Sequence, residues 1–500
     1  MTSVTSVAAD SAAPTTYKGS AKLLTGIVLG VLTFWLFAGS LGTVAPNILS
    51  DINGSTEYIS ASQMNMAVSI TALFSGLFIV LMGGVADKVG RLKIAIIGNI
   101  LGIAGSLLVV LSTGALTLPL MLTGRALQGL SAACIMPSTM ALLRAYWDGK
   151  DRQRAVSMWS IGSWGGSGLA SLVGGFLASN LNWRWIFIVS IVVSVVAVLL
   201  MLGAPESKVR TTVARKKFDL PGLATFMVMT LAFMVVIIFG RQIGWGEPLI
   251  LVLVAVGVVA AVAFTIVEKK NTDNPFIDFA LFKNTTFAGA TLSNFLINAT
   301  IGLLMVSQQM LQLSNKGYDA WKASLLTIGY AVFIIGLIRV GETLLRKFGP
   351  RKPMIWGTLI VALSAICLIP TNLMVGDYQV LAFVAYSLFG IGLAFYATPS
   401  TDAALSNLPA DQTGAGSGIY KMASSLGSAV GAAVSLTIFS SLSGTGAGWI
   451  GSVLTTQGTL DNEAVRQAGA VAFLFNLVIT LIALASIMVT VPKGRKYNND

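Results

Sequence analysis

Histidine is absent from all 500 residues, and the chain has only two cysteines, Cys134 and Cys367. Without imidazole there can be no His-based catalytic triad, no His proton relay and no His-ligated metal. Both cysteines fall inside apolar runs, so neither a disulfide framework nor a metal site is expected. Charge is scarce as well. Only 10% of the residues are charged, whereas a soluble domain carries about 25%. Acid is scarcest: Asp and Glu number 20 against 32 Lys and Arg, and none of those acids lies deep in an apolar run. No Walker sequence occurs, which excludes a P-loop ATPase.

Apolar sequence is abundant. Hydrophobic residues make up 55% of the chain, in recurrent runs long enough for a helix to cross a hydrocarbon core of about 30 Å. Barrel strands are shorter and alternate in polarity, so the expected class is an all-α integral membrane protein. Fourteen helices are predicted, over 23–45, 64–86, 93–112, 116–146, 156–179, 184–203, 220–240, 248–268, 287–312, 323–343, 353–371, 379–402, 416–442 and 468–491.

The basic residues test that count. With both termini in the cytoplasm, the inside loops hold 24 Lys and Arg. The outside loops hold only Arg184, Arg241, Lys316, Lys322 and Arg466, and Arg125, Arg339 and Lys421 fall within helices. A missed helix would scramble this asymmetry, so a multi-pass protein of the cell membrane with cytoplasmic termini is expected. The net charge of +12 is dispersed over short loops, which argues against nucleic acid as partner.

An internal repeat runs at an offset of about 260 residues. Lys88-Val89-Gly90-Arg91-Leu92-Lys93 resembles Lys347-Phe348-Gly349-Pro350-Arg351-Lys352, and Pro137-Ser138-Thr139 recurs as Pro399-Ser400-Thr401. Repeated halves that rock about a central site are a transporter signature. The division expected is a disordered tail 1–22, a six-helix bundle 23–203, a basic loop with an inserted helix pair 204–286, a second six-helix bundle 287–491 and a tail 492–500. Arg125 aligns with Ser387, so the halves differ in chemistry.

Several stretches resemble one family. Gly83 through Lys93, with Asp87, Gly90 and Arg91, is similar to the cytoplasmic loop signature of the major facilitator superfamily. Arg125-x-x-Gln128-Gly129-x-x-Ala132-Ala133 is similar to the helix 4 motif of its drug:proton antiporters. Trp183-Arg184-Trp185, Phe218-Asp219-Leu220-Pro221-Gly222 and Pro275-Phe276-Ile277-Asp278 extend the likeness to the fourteen-helix exporters, closer to the Nor-type quinolone exporters than to the Qac-type antiseptic exporters. The resemblance implies a major facilitator fold and proton-coupled export of small amphiphilic drugs by a monomer that needs no cofactor. It also implies a conformational latch at Gly83, Asp87, Gly90 and Arg91. Two departures accompany it. Helix 5 has Ala170-Ser171 where antiporters carry Gly-Pro, and Phe37 stands where Qac-type relatives carry an aspartate. The first keeps open a facilitator for a specific metabolite; the second favours neutral, zwitterionic or weakly cationic substrates.

Candidate residues follow. For proton coupling they are Arg125 with Gln128 at i+3, Glu342 and Asp402 at inner helix ends, and Asp51 and Glu57 at outer ends. An apolar, aromatic drug pocket would draw on Trp35 and Phe37 in helix 1 and on Met158, Trp159 and Trp164 in helix 5. The helix 9 amides Asn294, Asn298, Gln308 and Gln309 cannot all face lipid, so they join the pocket candidates.

Overall fold

The computed structural model describes residues 17–54, 56–148, 151, 154–155, 158–159, 162–163, 166–207, 219–271, 275–277, 279–315, 318–406, 408, 413–451 and 462–493. Among these the regular structure is helical, with no strand. The first six helices are α1 (Ala21–Asn53), α2 (Ala61–Val89), α3 (Arg91–Val110), α4 (Thr117–Tyr146), α5 (Gly166–Asn180) and α6 (Arg184–Met201). A pair follows, α7 (Leu220–Ile243) and α8 (Pro248–Lys270). The remainder are α9 (Thr285–Ala299), α10 (Gly302–Ser314), α11 (Ala320–Leu325), α12 (Thr327–Phe348), α13 (Arg351–Leu368), α14 (Val375–Leu405), α15 (Thr413–Leu442) and α16 (Glu463–Thr490).

Thirteen spans among the described residues are long and apolar enough to cross a membrane, and the apolar part of α5, Leu169–Asn180, is shorter. Two expected single helices are broken. The ninth divides into α9 and α10 at Thr300 and Ile301, and the tenth into α11 and α12 at Leu326. At the first break the Thr300 hydroxyl donates to the Ile297 carbonyl at 2.6 Å, satisfying an acceptor that water cannot reach. Start signals behave as their residue types dictate. Ser60 and Gln63 form a reciprocal capping box on α2, and Asp219 caps α7 with Pro221 in its first turn.

Helices α1 to α6 pack among themselves, α9 to α16 do likewise, and α7 and α8 pack chiefly on each other. Helix α7 also touches α2 and α15, whereas α8 leaves Leu249, Leu251, Val252, Val259 and Val262 exposed, as a lipid-facing helix should. Glycine sets the tightest crossings. A Cβ at Gly105 of α3 would sit 2.5 Å from the Gly124 carbonyl of α4, and in the equivalent pair one at Gly357 of α13 would sit 2.5 Å from the Gly392 carbonyl of α14.

The repeat extends into side-chain chemistry at the helix ends away from the basic loops, called the neutral end below. Arg184, opening α6, donates to Asp51 of α1 at 2.7 Å and to the Val110 and Ser112 carbonyls where α3 ends, at 3.2 and 3.1 Å. Arg466, in the first turn of α16, donates to Asn315 just past α10 at 3.1 Å and to the Thr371 and Leu373 carbonyls just past α13, at 2.8 and 2.9 Å. Each arginine thus fastens the last helix of its group to the ends of the first and third. Arg466, expected in a loop, is instead buried within a helix.

Gly105→Val should lower the thermal unfolding midpoint in detergent by the equivalent of about 1–3 kcal/mol, the usual cost of overpacking. Gly84→Ala serves as the control, since a Cβ there meets nothing within 4 Å. Equal midpoints for the two variants would refute the crossing as described.

Candidate functional site

Arg125 lies in α4 with none of its surface exposed. Its guanidinium donates to backbone carbonyls of two neighbouring helices: Nη1 to Phe37 of α1 at 2.5 Å, Nε to Ala67 of α2 at 2.9 Å, and Nη2 to Val68 at 3.5 Å. Nη1 also donates to Gln128 Oε1 at 2.8 Å, and Gln128 Nε2 donates onward to Ser106 of α3 at 3.0 Å. Thr71 returns a bond from α2 to the Arg125 carbonyl at 3.0 Å. The i, i+3 spacing of Arg125 and Gln128 is therefore a working contact. Carbonyl dipoles take the place of a carboxylate partner, and one fixed cation binds four helices together.

Phe37 belongs to the same knot. Its ring is buried, edge-on to Phe34 and against Gly102 of α3, so it faces the interior of the first group. A different stripe of α1, Val28, Leu32, Trp35 and Gly39, recurs at helical spacing and is half-buried, with Val28 against Gly162 and Trp35 against Gly166 of the same bundle. The stripe runs on to Gly42, against which Met305 of α10 packs, and to Thr43. The Trp35 indole N–H is buried and has no hydrogen-bond partner among the described residues.

At Thr43 the two groups are sealed together. Its hydroxyl donates to Gln308 Oε1 at 2.5 Å, Gln308 Nε2 donates to Ser171 Oγ of α5 at 3.1 Å, and Ser171 and Thr43 lie 2.7 Å apart. Since Thr43 spends its one proton on Gln308, Ser171 is the donor to Thr43, which closes a ring of three bonds. Gln309 and Gln312 donate to the Gly42 and Thr43 carbonyls at 3.0 and 2.7 Å, and Ser179 accepts from the Trp321 amide at 3.0 Å. Asn65 of α2 reaches the Leu436 carbonyl and Ser440 of α15, both at 3.2 Å. Every hydrogen bond between described residues that joins the two groups lies in this neutral-end half. Helices α2 and α15 also continue together toward the basic end, with Gly76 against Leu426 and Gly418 against Val80.

The other expected residues are placed as follows. Gln308 and Gln309 belong to the seal and are buried in it. Asn294 donates to the Tyr420 carbonyl and to Ser424 of α15, at 2.9 and 2.7 Å, while Asn298 donates back to Asn294. Trp159 is buried with its indole donating to Thr139 at 3.0 Å, Met158 is exposed, and Trp164 lies outside the described residues. Asp51 is held by Arg184 and by the Trp183 indole, Glu342 pairs with Arg346 one turn on, and Glu57 is exposed in a loop. Asp402 follows Ser400 by two residues, so it takes the opposite face of α14 from the serine that accepts a bond from the Tyr420 hydroxyl.

The latch residues form a cluster that the motif alone did not complete. Asp87 accepts from Arg91 Nε at 2.9 Å. Gly90 has φ of +137°, and the Arg91 amide donates to the Ser207 carbonyl just past α6 at 3.0 Å. The Glu206 carboxylate takes the Leu92 and Lys93 amides at 2.9 and 3.0 Å, capping the α3 N-terminus where a carboxylate complements the helix dipole. A Cβ at Gly90 would press on both Glu206 oxygens at 2.7 Å, so two features exclude a side chain there. Gly83 lies beside Pro137 of α4, to which a Cβ would make ordinary contact at 3.5 Å. The acid in Pro205-Glu206, closing α6, was the available signal for this partner. Lys421, a charge within an apolar run that the sequence places on the same cytoplasmic side as Asp402, is exposed on α15.

Comparison with known proteins agrees with this construction. The Major Facilitator Superfamily model matches residues 27–432. The chain is 46% identical over 429 residues to the Quinolone resistance protein NorB of Staphylococcus aureus strain MRSA252, covering 86% of this chain and 90% of that one. The corresponding protein of strain MW2 is also 46% identical, covering 85% and 90%. Among solved structures the fold is similar to an auto-inhibited POT family peptide transporter, with TM-score 0.65, 15% identity and coverage of 96% and 99%. It is also similar to a D-xylose-proton symporter, with TM-score 0.63, 15% identity and coverage of 94% and 97%. The chain belongs to the major facilitator superfamily, and it is a transporter rather than an enzyme.

Gln128→Leu should leave one guanidinium donor and the Ser106 hydroxyl without their partner, at a cost of about 1–3 kcal/mol in stability. Gln128→Glu, which restores an acceptor, should recover most of the unfolding midpoint. A Leu variant as stable as the parent would remove the Arg125 knot as a structural element.

Proposed function

We propose that this transporter exports small amphiphilic drugs across the cell membrane, driven by protons and working by alternating access between bundles 23–203 and 287–491, with 204–286 as an inserted element. The observation that carries this reading is the distribution of contacts between the bundles. A polar seal closes the neutral end, whereas toward the basic end no hydrogen bond between described residues joins the bundles. Taking the basic loops and both termini as cytoplasmic, this is a state that loads substrate from the cytoplasm. The 46% identity to quinolone resistance proteins supports drugs as the cargo.

The surface offered to cargo suits amphiphiles. Leu32 and Gly39 of α1, half-buried beside Val28 and Trp35, offer dispersion rather than a fixed set of hydrogen bonds, so they sort ligands by shape and apolar area. The membrane potential contributes roughly 2.3 kcal/mol per charge per 100 mV, roughly fiftyfold in concentration, which suffices for efflux. Asp402 and Glu342 remain the acids proposed for proton exchange because both lie on helices of the second bundle near the basic end. Arg125 acts on the cycle by positioning α1 and α2, since its guanidinium is enclosed by their carbonyls.

Proteoliposomes with an imposed pH gradient test the proposal, using a fluoroquinolone, a monovalent cationic dye and a sugar. Gradient-dependent movement of at least one drug is expected, and movement of the sugar alone would overturn the exporter reading. Asp402→Asn or Glu342→Gln should uncouple transport from the gradient; unchanged pH dependence in both would eliminate these acids as the coupling groups.

A further inference from the structure

Helices α2 and α15 meet antiparallel across the seam between the bundles, with Asn65 on Ser440, Gly76 on Leu426 and Gly418 on Val80. These contacts fix which face each helix turns to the other. Ser69 lies four residues past Asn65 and seven before Gly76, so it falls within the contact stripe of α2. Thr437 lies three residues before Ser440 and eleven past Leu426, about three turns, so it falls within the contact stripe of α15.

Both hydroxyls are unsatisfied there. Ser69 is 1% exposed and the Thr437 oxygen is buried, yet neither has a hydrogen-bond partner among the described residues. A serine or threonine within a helix ordinarily returns its proton to the carbonyl one turn back, as Ser40, Thr139 and Thr480 do in this chain. Ser69 and Thr437 do not. An unpartnered hydroxyl is costly in an apolar seam, and the stripe residues around them, Ala72 and Gly76 on α2 and Ala433 and Leu436 on α15, bring no side-chain polar group.

The register brings the two oxygens toward one another. Interpolated between the Asn65 and Gly76 contacts, Ser69 stands roughly opposite Ala433, one turn to the basic side of Thr437. Each Cα–Cβ bond tilts toward the N-terminus of its helix, and the N-termini of α2 and α15 lie at opposite ends of the molecule. Ser69 therefore leans toward the neutral end and Thr437 toward the basic end. They do not bond directly, so what satisfies both is small and gives and takes hydrogen bonds at once. Water has that chemistry.

We propose that Ser69 and Thr437 form a binding site for one water molecule that links the two bundles within the α2–α15 seam, on the basic side of the Asn65 bonds. The water accepts from one hydroxyl and donates to the other oxygen. Such a bridge suits a seam that pivots, because solvent can take over the part of either partner when the helices separate. The site is independent of what the transporter carries.

Thermal unfolding of the full-length protein in detergent tests the bridge by a double-variant cycle. Ser69→Ala and Thr437→Val each remove one oxygen with little change of shape. With a bridging water, either variant strands the water and the opposite hydroxyl, so each lowers the midpoint, and the double variant lowers it by less than the two losses together. Two separate unpartnered hydroxyls behave otherwise: losing either leaves the midpoint unchanged or raises it. A cryo-EM map that resolves ordered water should show a peak within hydrogen-bond distance of both Ser69 Oγ and Thr437 Oγ1. Unchanged or raised midpoints, strictly additive losses, or ordered side chains with no peak between them would overturn the site.

Discussion

In hydrocarbon a buried polar group must find its partner inside the protein, and this chain meets that requirement for most of its buried groups, the Trp35 indole being one exception, almost without acids. Its buried arginines, Arg125 and Arg466, and the half-buried Arg184 are held largely by carbonyl oxygens. Arg125 uses those of Phe37, Ala67 and Val68, Arg184 those of Val110 and Ser112 beside Asp51, and Arg466 those of Thr371 and Leu373. A carboxylate partner would have to be desolvated along with the cation, an added cost that neutral carbonyls largely avoid. The planar guanidinium fork also reaches several acceptors at once, which an ammonium cannot. Arginine thereby becomes a joint between helices.

These joints show what the two halves share and where they part. Arg184 and Arg466 perform one task twice, tying the last helix of each bundle to the ends of its first and third. Arg125 has no such double. At the matching place Ser387 donates only to the Phe383 carbonyl one turn back in its own helix, and Gly329 of α12 lies against its hydroxyl. The first bundle is thus cross-braced at its centre by a charge, and the second is packed there through small residues. Toward the basic end α15 carries Lys421, and one turn on its Ser424 accepts a bond from Asn294 of α9.

Much of the fold was legible in the sequence because hydrocarbon imposes a length and a loop charge on each span. What periodicity could not show were the interruptions at Thr300 and Leu326, where local hydroxyl bonds replace helix bonds without altering hydropathy. The site was less legible. Arg125 and Gln128 could be paired from their spacing, but carbonyl acceptors carry no sequence signal, so the acceptors from α1 and α2 could not be read there. Gln308 and Gln309 were rightly withheld from lipid, yet an amide that seals and an amide that binds cargo look alike in sequence. Their roles depend on Thr43 and Ser171, more than a hundred residues away from each other. Glu206 and Arg466 escaped notice because loop charges are read first as topology.

The same scarcity of charge bears on how the molecule moves. The neutral-end seal consists of amides, hydroxyls and backbone groups, with no ion pair across it among the described residues. Each such bond contributes only about 0.5–1.5 kcal/mol net once water can replace the partner. A seal of this kind opens for a total comparable to the energy of moving one or a few protons down their gradient. Helices α2 and α15 stay together from Asn65 and Ser440 to Val80 and Gly418, through glycines that allow close approach with little directional bonding. Such a contact can slide or pivot while weak polar bonds are exchanged at either end. The strong interactions, the arginine joints, lie within bundles, so rocking leaves them intact.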